Sequence, residues 1–143
     1  MKRKQQRDLL VKSVFAHFFQ KDLSLTELLD SIEFNFMNER LKNEDHRKYV
    51  DPLLEHLSKE ESECQKLISD HLKTTWKIER IPWLDLAVLE VAIVEIKYLD
   101  DIPFDVTVNE AVDLAKLYST EKSPSFINGI LVSIFEEISR SVE

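Results

Sequence analysis

Residues 84–96 read Leu84-Asp85-Leu86-Ala87-Val88-Leu89-Glu90-Val91-Ala92-Ile93-Val94-Glu95-Ile96, and this stretch decides the fold. Only Asp85, Glu90 and Glu95 carry charge in it. A helix that is apolar nearly all round belongs at the centre of a bundle. Glu95 then needs a hydrogen-bond partner, because an unpaired buried carboxylate is costly. Pro82 fits the first helical position, which has no use for an N–H. Asp100-Asp101-Ile102-Pro103 ends the helix.

Working outward, the same period recurs on both sides. A following helix is predicted over about 106–118, with Val108, Ala111, Val112 and Ala115 on one face. Ser119 to Pro124 is a polar connection, and Ser123-Pro124 reads as an N-cap followed by proline at the first helical position. The last helix then runs from about 124 to 140 and buries Phe126, Ile127, Ile130, Leu131, Ile134 and Ile138. On the other side, residues 45–73 carry Tyr49, Val50, Leu53, Leu54, Leu57, Leu67, Ile68 and Leu72. One long helix there must kink at Pro52 or begin near it. The charged segment Lys59–Glu63 is predicted to face water. Glu60, Glu61 and Glu63 read as a solvated face, since no histidine or aspartate joins them at metal-ligand spacing. Ser24-Leu25-Thr26-Glu27 has the form of a capping box. The helix it opens would bury Leu28, Leu29, Ile32 and Phe36, and residues 38–48 form a polar loop. Residues 3–20 form an amphipathic helix on Leu10, Val11, Val14, Phe15, Phe18 and Phe19.

Composition agrees with an all-α fold. The chain has one glycine and four prolines in 143 residues. All-β and doubly wound folds need turn residues at every connection, whereas long helices joined by polar loops need few. The length suits one domain, or two small halves of about 1–75 and 76–143 sharing one core. No run reaches the ~18 apolar residues of a membrane span. Asp8 interrupts the first apolar stretch, so the N-terminus does not read as a signal peptide. The single cysteine, Cys64, excludes an internal disulfide and a cysteine-cluster metal site. A cytoplasmic protein is expected.

The net charge of −8 argues at first against nucleic acid. Its distribution changes that. Residues 1–7 carry Lys2, Arg3, Lys4 and Arg7 and no acid; removing those four leaves 15 Lys/Arg against 27 Asp/Glu, a charge of −12. A basic tip on an acidic body is either a solvated helix start or a local phosphate contact. Catalytic chemistry is not expected. One glycine cannot build a P-loop or a dinucleotide turn. Histidines 17, 46, 56 and 71 are too far apart to form a metal pair on one helix turn. No cofactor, metal or enzyme activity is predicted, and a binding protein is the better class. The lone glycine, Gly129, lies in a run with helical apolar spacing. A helical glycine costs about 0.5–1 kcal/mol relative to alanine, so close backbone packing or close ligand approach should explain it.

Three segments together resemble a known family: Asp101-Ile102-Pro103, then Val108-Asn109-Glu110-Ala111-Val112-Asp113-Leu114-Ala115-Lys116, then Phe126-Ile127-Asn128-Gly129-Ile130-Leu131. With Asp85–Ala92 and Glu95 before them, they look like the transcription antitermination factors of the NusB family. The likeness is strong over about 80–131, weaker over 1–20, and rests on length and helix pattern between. It implies two three-helix bundles. It implies binding to boxA RNA in ribosomal RNA transcripts together with NusE, a small-subunit ribosomal protein. That pair helps keep the RNA polymerase elongation complex termination-resistant, and family members occur as monomers or homodimers. The alternative is an RNA-binding or protein-interaction helical domain without that role, such as the NusB-like accessory domain of an RNA methyltransferase.

The resemblance also implies a site. Family members carry an arginine-rich first helix, which Arg3 and Arg7 fit and where Lys4 and Lys2 add charge. On this reading Arg7→Ala weakens RNA binding and leaves stability nearly unchanged. Phe15 takes the place of a typical tyrosine and keeps a ring for base stacking. Gln6 and Lys12 stand where alanine and glutamine are usual, and Val132 where an acid is frequent. The start of the last helix, Ser125 to Asn128, offers free backbone N–H groups. Phe126 is either a core residue or a stacking platform; Asn128 is either a packing amide or an RNA contact. Gly129 is expected to pack against a neighbouring helix such as 84–96, so that Gly129→Leu would overpack the core.

Overall fold

A computed structural model describes residues 3–37, 48–73 and 76–142. Among these there are seven α-helices and no strand. They are α1 (Arg3–Phe19), α2 (Leu25–Met37), α3 (Val50–Lys59), α4 (Glu61–Asp70), α5 (Trp83–Tyr98), α6 (Phe104–Tyr118) and α7 (Ser123–Val142). A 3-10 turn, Ile78–Arg80, precedes α5. No helix of the described residues is long and apolar enough to cross a membrane.

The fold is organised around α5, which touches α1, α3, α4, α6 and α7. Leu86 to Val94 is buried without interruption, as an all-round apolar helix requires. On one side α1, α2 and α3 pack together; on the other α6 and α7 form a tight antiparallel pair against α5. One continuous core runs through both groups, from Leu10 and Leu29 through Leu89 and Ile93 to Leu131 and Ile134.

Local chemistry explains the helix ends. Ser24 Oγ accepts the Glu27 N–H at 3.0 Å, so the capping box opens α2 as expected. Phe36 lies outside the described side chains, and the connection over 38–48 falls almost wholly outside the described residues. Helix α3 has no cap of its own. Instead Gln6 of α1 reaches across, and its Oε1 accepts the N–H groups of Tyr49 (3.1 Å) and Val50 (3.3 Å). Pro52 then sits in the first turn of α3, where its missing N–H has no helical partner to lose.

The expected long helix over 45–73 divides, but at Glu60 rather than at Pro52. Glu60 is buried, against the expectation of a solvated acidic face. Its carboxylate accepts hydrogen bonds from Lys97 Nζ (2.9 Å) and Tyr98 Oη (2.6 Å) of α5, and pairs with His56 Nδ1 at 2.9 Å. The His56 ring stacks on Tyr98 at 3.5 Å. Burial pushes the Glu60 carboxyl up, but these three partners outweigh it and hold it below the usual carboxylate value. The break is therefore a polar clamp between α3/α4 and the end of α5. Nearby, burial raises the Cys64 thiol to about 12, which makes it an inert packing residue.

Candidate nucleic-acid interface

The predicted site residues separate into surface and interior groups. Lys2 lies outside the described residues. Arg3 and Lys4 project from the first turn of α1, with side chains 50% and 66% exposed. Arg3 Nη2 stands 3.9 Å from Asp101 Oδ2, and Lys4 Nζ stands 4.0 Å from Glu110 Oε2 and 3.9 Å from Asp113 Oδ2. Exposed pairs of this length contribute little to stability, so both cations remain available to another anion.

Arg7 does not belong to this surface. It is 5% exposed, and its Nε donates to Glu95 Oε1 at 2.7 Å. Thr107 Oγ1 donates to the other oxygen of the same carboxylate. The guanidinium also lies 5.2 Å from the centre of the Tyr49 ring. Burial pushes the Tyr49 phenol well above its ordinary value, with the Glu95 charge adding to it. Glu95 thus has the partner its burial demands, and α1, α5 and α6 are joined through one buried carboxylate. This burial and pairing argue against the expectation that Arg7→Ala leaves stability nearly unchanged.

Phe15 is half-buried on α1, with its ring edge-on to Phe19 at 5.2 Å. Phe19, expected on the apolar face, is 63% exposed. It meets Trp83, the first residue of α5, at 4.7 Å, and Phe18 meets the same indole at 5.9 Å. The outcome is an exposed aromatic cluster where the C-terminal end of α1 crosses the start of α5.

The start of α7 is held by a buried acid. Asp85, 2% exposed, accepts hydrogen bonds from Ser119 Oγ (2.5 Å) and Ser123 Oγ (2.7 Å). The Ser123 hydroxyl is thereby tied to α5, and the first turns of α7 are fixed relative to it. From that turn Ser125 and Asn128 face solvent. Phe126 is half-buried: it packs on the core, as one of its two readings expected, and its ring stacks on Trp76, centroids 5.7 Å apart and planes 16° apart. Gly129 is exposed, and a Cβ built on it meets nothing within 4 Å. The expected close helix packing at this glycine is wrong. Its neighbours Ile127, Ile130 and Leu131 carry the core contact, and Gly129 points away from them.

Sequence reasoning missed Phe19, Trp76 and Trp83 as surface aromatics. The two tryptophans lie at or beyond helix ends, where no apolar period assigns a face.

The fold and these surfaces define a class: a wholly helical protein built on a buried central helix, with cations and aromatic rings exposed where α1, α5 and α7 begin or end. The sequence profile of the NusB family matches residues 4–136. Similar proteins include the transcription antitermination protein NusB of Listeria monocytogenes serotype 4a (strain HCC23), 35% identical over 96% of this chain and 98% of its own. That of Acetivibrio thermocellus is 39% identical over 92% of this chain and 86% of its own. Among solved structures, T. maritima NusB superposes with a TM-score of 0.84 at 30% identity, covering 96% of this chain and 92% of that one. An antitermination factor NusB solved with NusE and double-stranded RNA has the same fold, with a TM-score of 0.81 at 24% identity over 94% and 96% of the two chains. The chain belongs to the NusB family.

Proposed function

We propose that this protein binds boxA RNA of ribosomal RNA transcripts together with NusE, and that the resulting complex keeps RNA polymerase termination-resistant. The observation that carries this reading is the family match over residues 4–136. The relative solved with NusE and RNA, which shares the fold, gives the pairing of partners. The surface chemistry supports the same reading. Single-stranded RNA is held by cations on phosphates, rings on base faces and polar groups on base edges. Lys2, Arg3 and Lys4 supply the first, Phe15 and Phe126 the second, and Ser125 and Asn128 the third. Arg7 acts indirectly, by locking α1 to α5 through Glu95.

A titration with boxA RNA, with and without NusE, tests the proposal. Affinity should fall with salt, with a slope of about −0.7 per neutralised phosphate. It should fall again in an Arg3→Ala/Lys4→Ala variant that melts like the parent. Binding that is absent in both arms, or insensitive to salt, would overturn it.

A further inference from the structure

Between the C-terminal end of α4 and the first turns of α7 lies an open groove of about 690 Å³. Its walls include Lys73 and Trp76 on one side and Lys122, Phe126 and Gly129 on the other. We propose that this groove takes one unpaired base of the bound RNA, with Trp76 as the stacking wall and Gly129 keeping the floor open. The proposal rests on the RNA-binding function proposed above and adds to it a base pocket with its own residues.

Three observations point to a base. The space falls in the range of pockets for small ligands, about 300–1,000 Å³. Its aromatic wall is flat and pre-formed: Trp76 stacks on Phe126 yet stays 51% exposed, so indole surface remains for another ring. The rim carries charge of the right sign. In a chain of net charge −8, the groove sets Lys73 and Lys122 against one acid, Glu121. That suits a base brought in on a phosphate backbone. The wall behind is held rigidly, because His71 bridges α4 to α7 through Ser133 Oγ (2.6 Å) and Glu137 Oε2 (3.1 Å).

Gly129 supplies the fourth argument. Packing does not require it, since a Cβ there meets nothing within 4 Å. It nevertheless sits inside a long helix, where alanine would be more favourable. What a large side chain would occupy at this position is the groove.

The test uses the full chain and a fluorescently labelled single-stranded boxA RNA, read by anisotropy. Gly129→Leu and Trp76→Ala should each weaken binding about 5- to 150-fold, the range expected for losing one stacked base. Gly129→Ala and Trp76→Phe should stay within about threefold, because a methyl group fits and a phenyl ring still stacks. Gly129→Leu should melt at or above the wild-type temperature, since it removes a helix glycine. If it unfolds instead, the Trp76 pair decides. Wild-type affinity in both Gly129→Leu and Trp76→Ala overturns the base pocket and leaves the RNA reading standing; loss of NusE binding alone in those variants overturns it in favour of a protein occupant. No RNA binding by the wild type overturns both.

Discussion

Arg7→Ala is the sharpest perturbation of this fold, because sequence pattern and structure assign it opposite outcomes. In the native protein the Arg7 guanidinium meets Glu95 at 2.7 Å, with side chains 6% and 1% exposed. Removing the arginine leaves a carboxylate sealed in the centre of the bundle, with Thr107 as its remaining hydrogen-bond donor. Breaking a buried pair from one side costs about 3–5 kcal/mol, because the other charge is stranded without water. A domain near this size loses about 2–4 °C in melting temperature per kcal/mol. The expected fall is therefore about 6–20 °C by differential scanning calorimetry or helical circular dichroism. The double variant Arg7→Met/Glu95→Leu should recover most of it, since apolar replacement of both partners removes the stranded charge. Measured well below its own melting point, Arg7→Ala should bind RNA nearly as well as wild type. An Arg7→Ala protein that melts within about 2 °C of wild type yet loses RNA affinity would refute this reasoning and return Arg7 to the surface.

Two further outcomes follow from buried carboxylates on α5. Burial pushes the Glu90 carboxyl up to about 8, against the hydrogen bond from Gln65 Nε2 at 3.2 Å. The folded state then keeps a proton that the unfolded chain releases near pH 4.5, so this group makes stability fall as pH rises from about 4.5 to 8. At about 1.4 kcal/mol per unit the loss is on the order of 5 kcal/mol, and Glu90→Gln should flatten that part of a melting-temperature profile against pH; an unchanged profile would refute the assignment. Asp85→Ala should cost about 1–3 kcal/mol and speed amide hydrogen exchange over residues 119–126, because the Ser119 and Ser123 hydroxyls lose their shared acceptor; unchanged exchange there would show that α7 is anchored by other contacts.

Most of the helices, the buried centre at α5 and the need for a partner at Glu95 were legible from apolar spacing and helix-end residues, but the break between α3 and α4 at Glu60 was not. At Arg7, Glu60 and Gly129 residue type had overruled that spacing, whereas at Phe19 the spacing itself misled, since the ring lies on the apolar period of α1 yet is exposed. Arg7 falls three, four and seven positions before Leu10, Val11 and Val14, on the buried stripe of α1. Its charge suggested a surface, but the period was right. Glu60 follows Leu53 and Leu57 and precedes Cys64 at three- and four-residue steps, again on a buried stripe. Its charge suggested solvent, and partners more than thirty residues away made burial tolerable. Gly129 is the converse case. The core stripe of α7 runs through Ile127, Ile130, Leu131 and Ile134, and residue 129 is off it. Its small size suggested a tight contact, where the period already placed it outside. Only Trp76 and Trp83 had no such signal, because residues at or beyond a helix end belong to no stripe. Their exposure depends on where the chain turns between α4 and α5, and tertiary packing sets that turn. At Arg7, Glu60 and Gly129 helical spacing therefore predicts burial better than residue chemistry does, and each residue whose chemistry contradicts its stripe marks a position with a specific partner or an open groove.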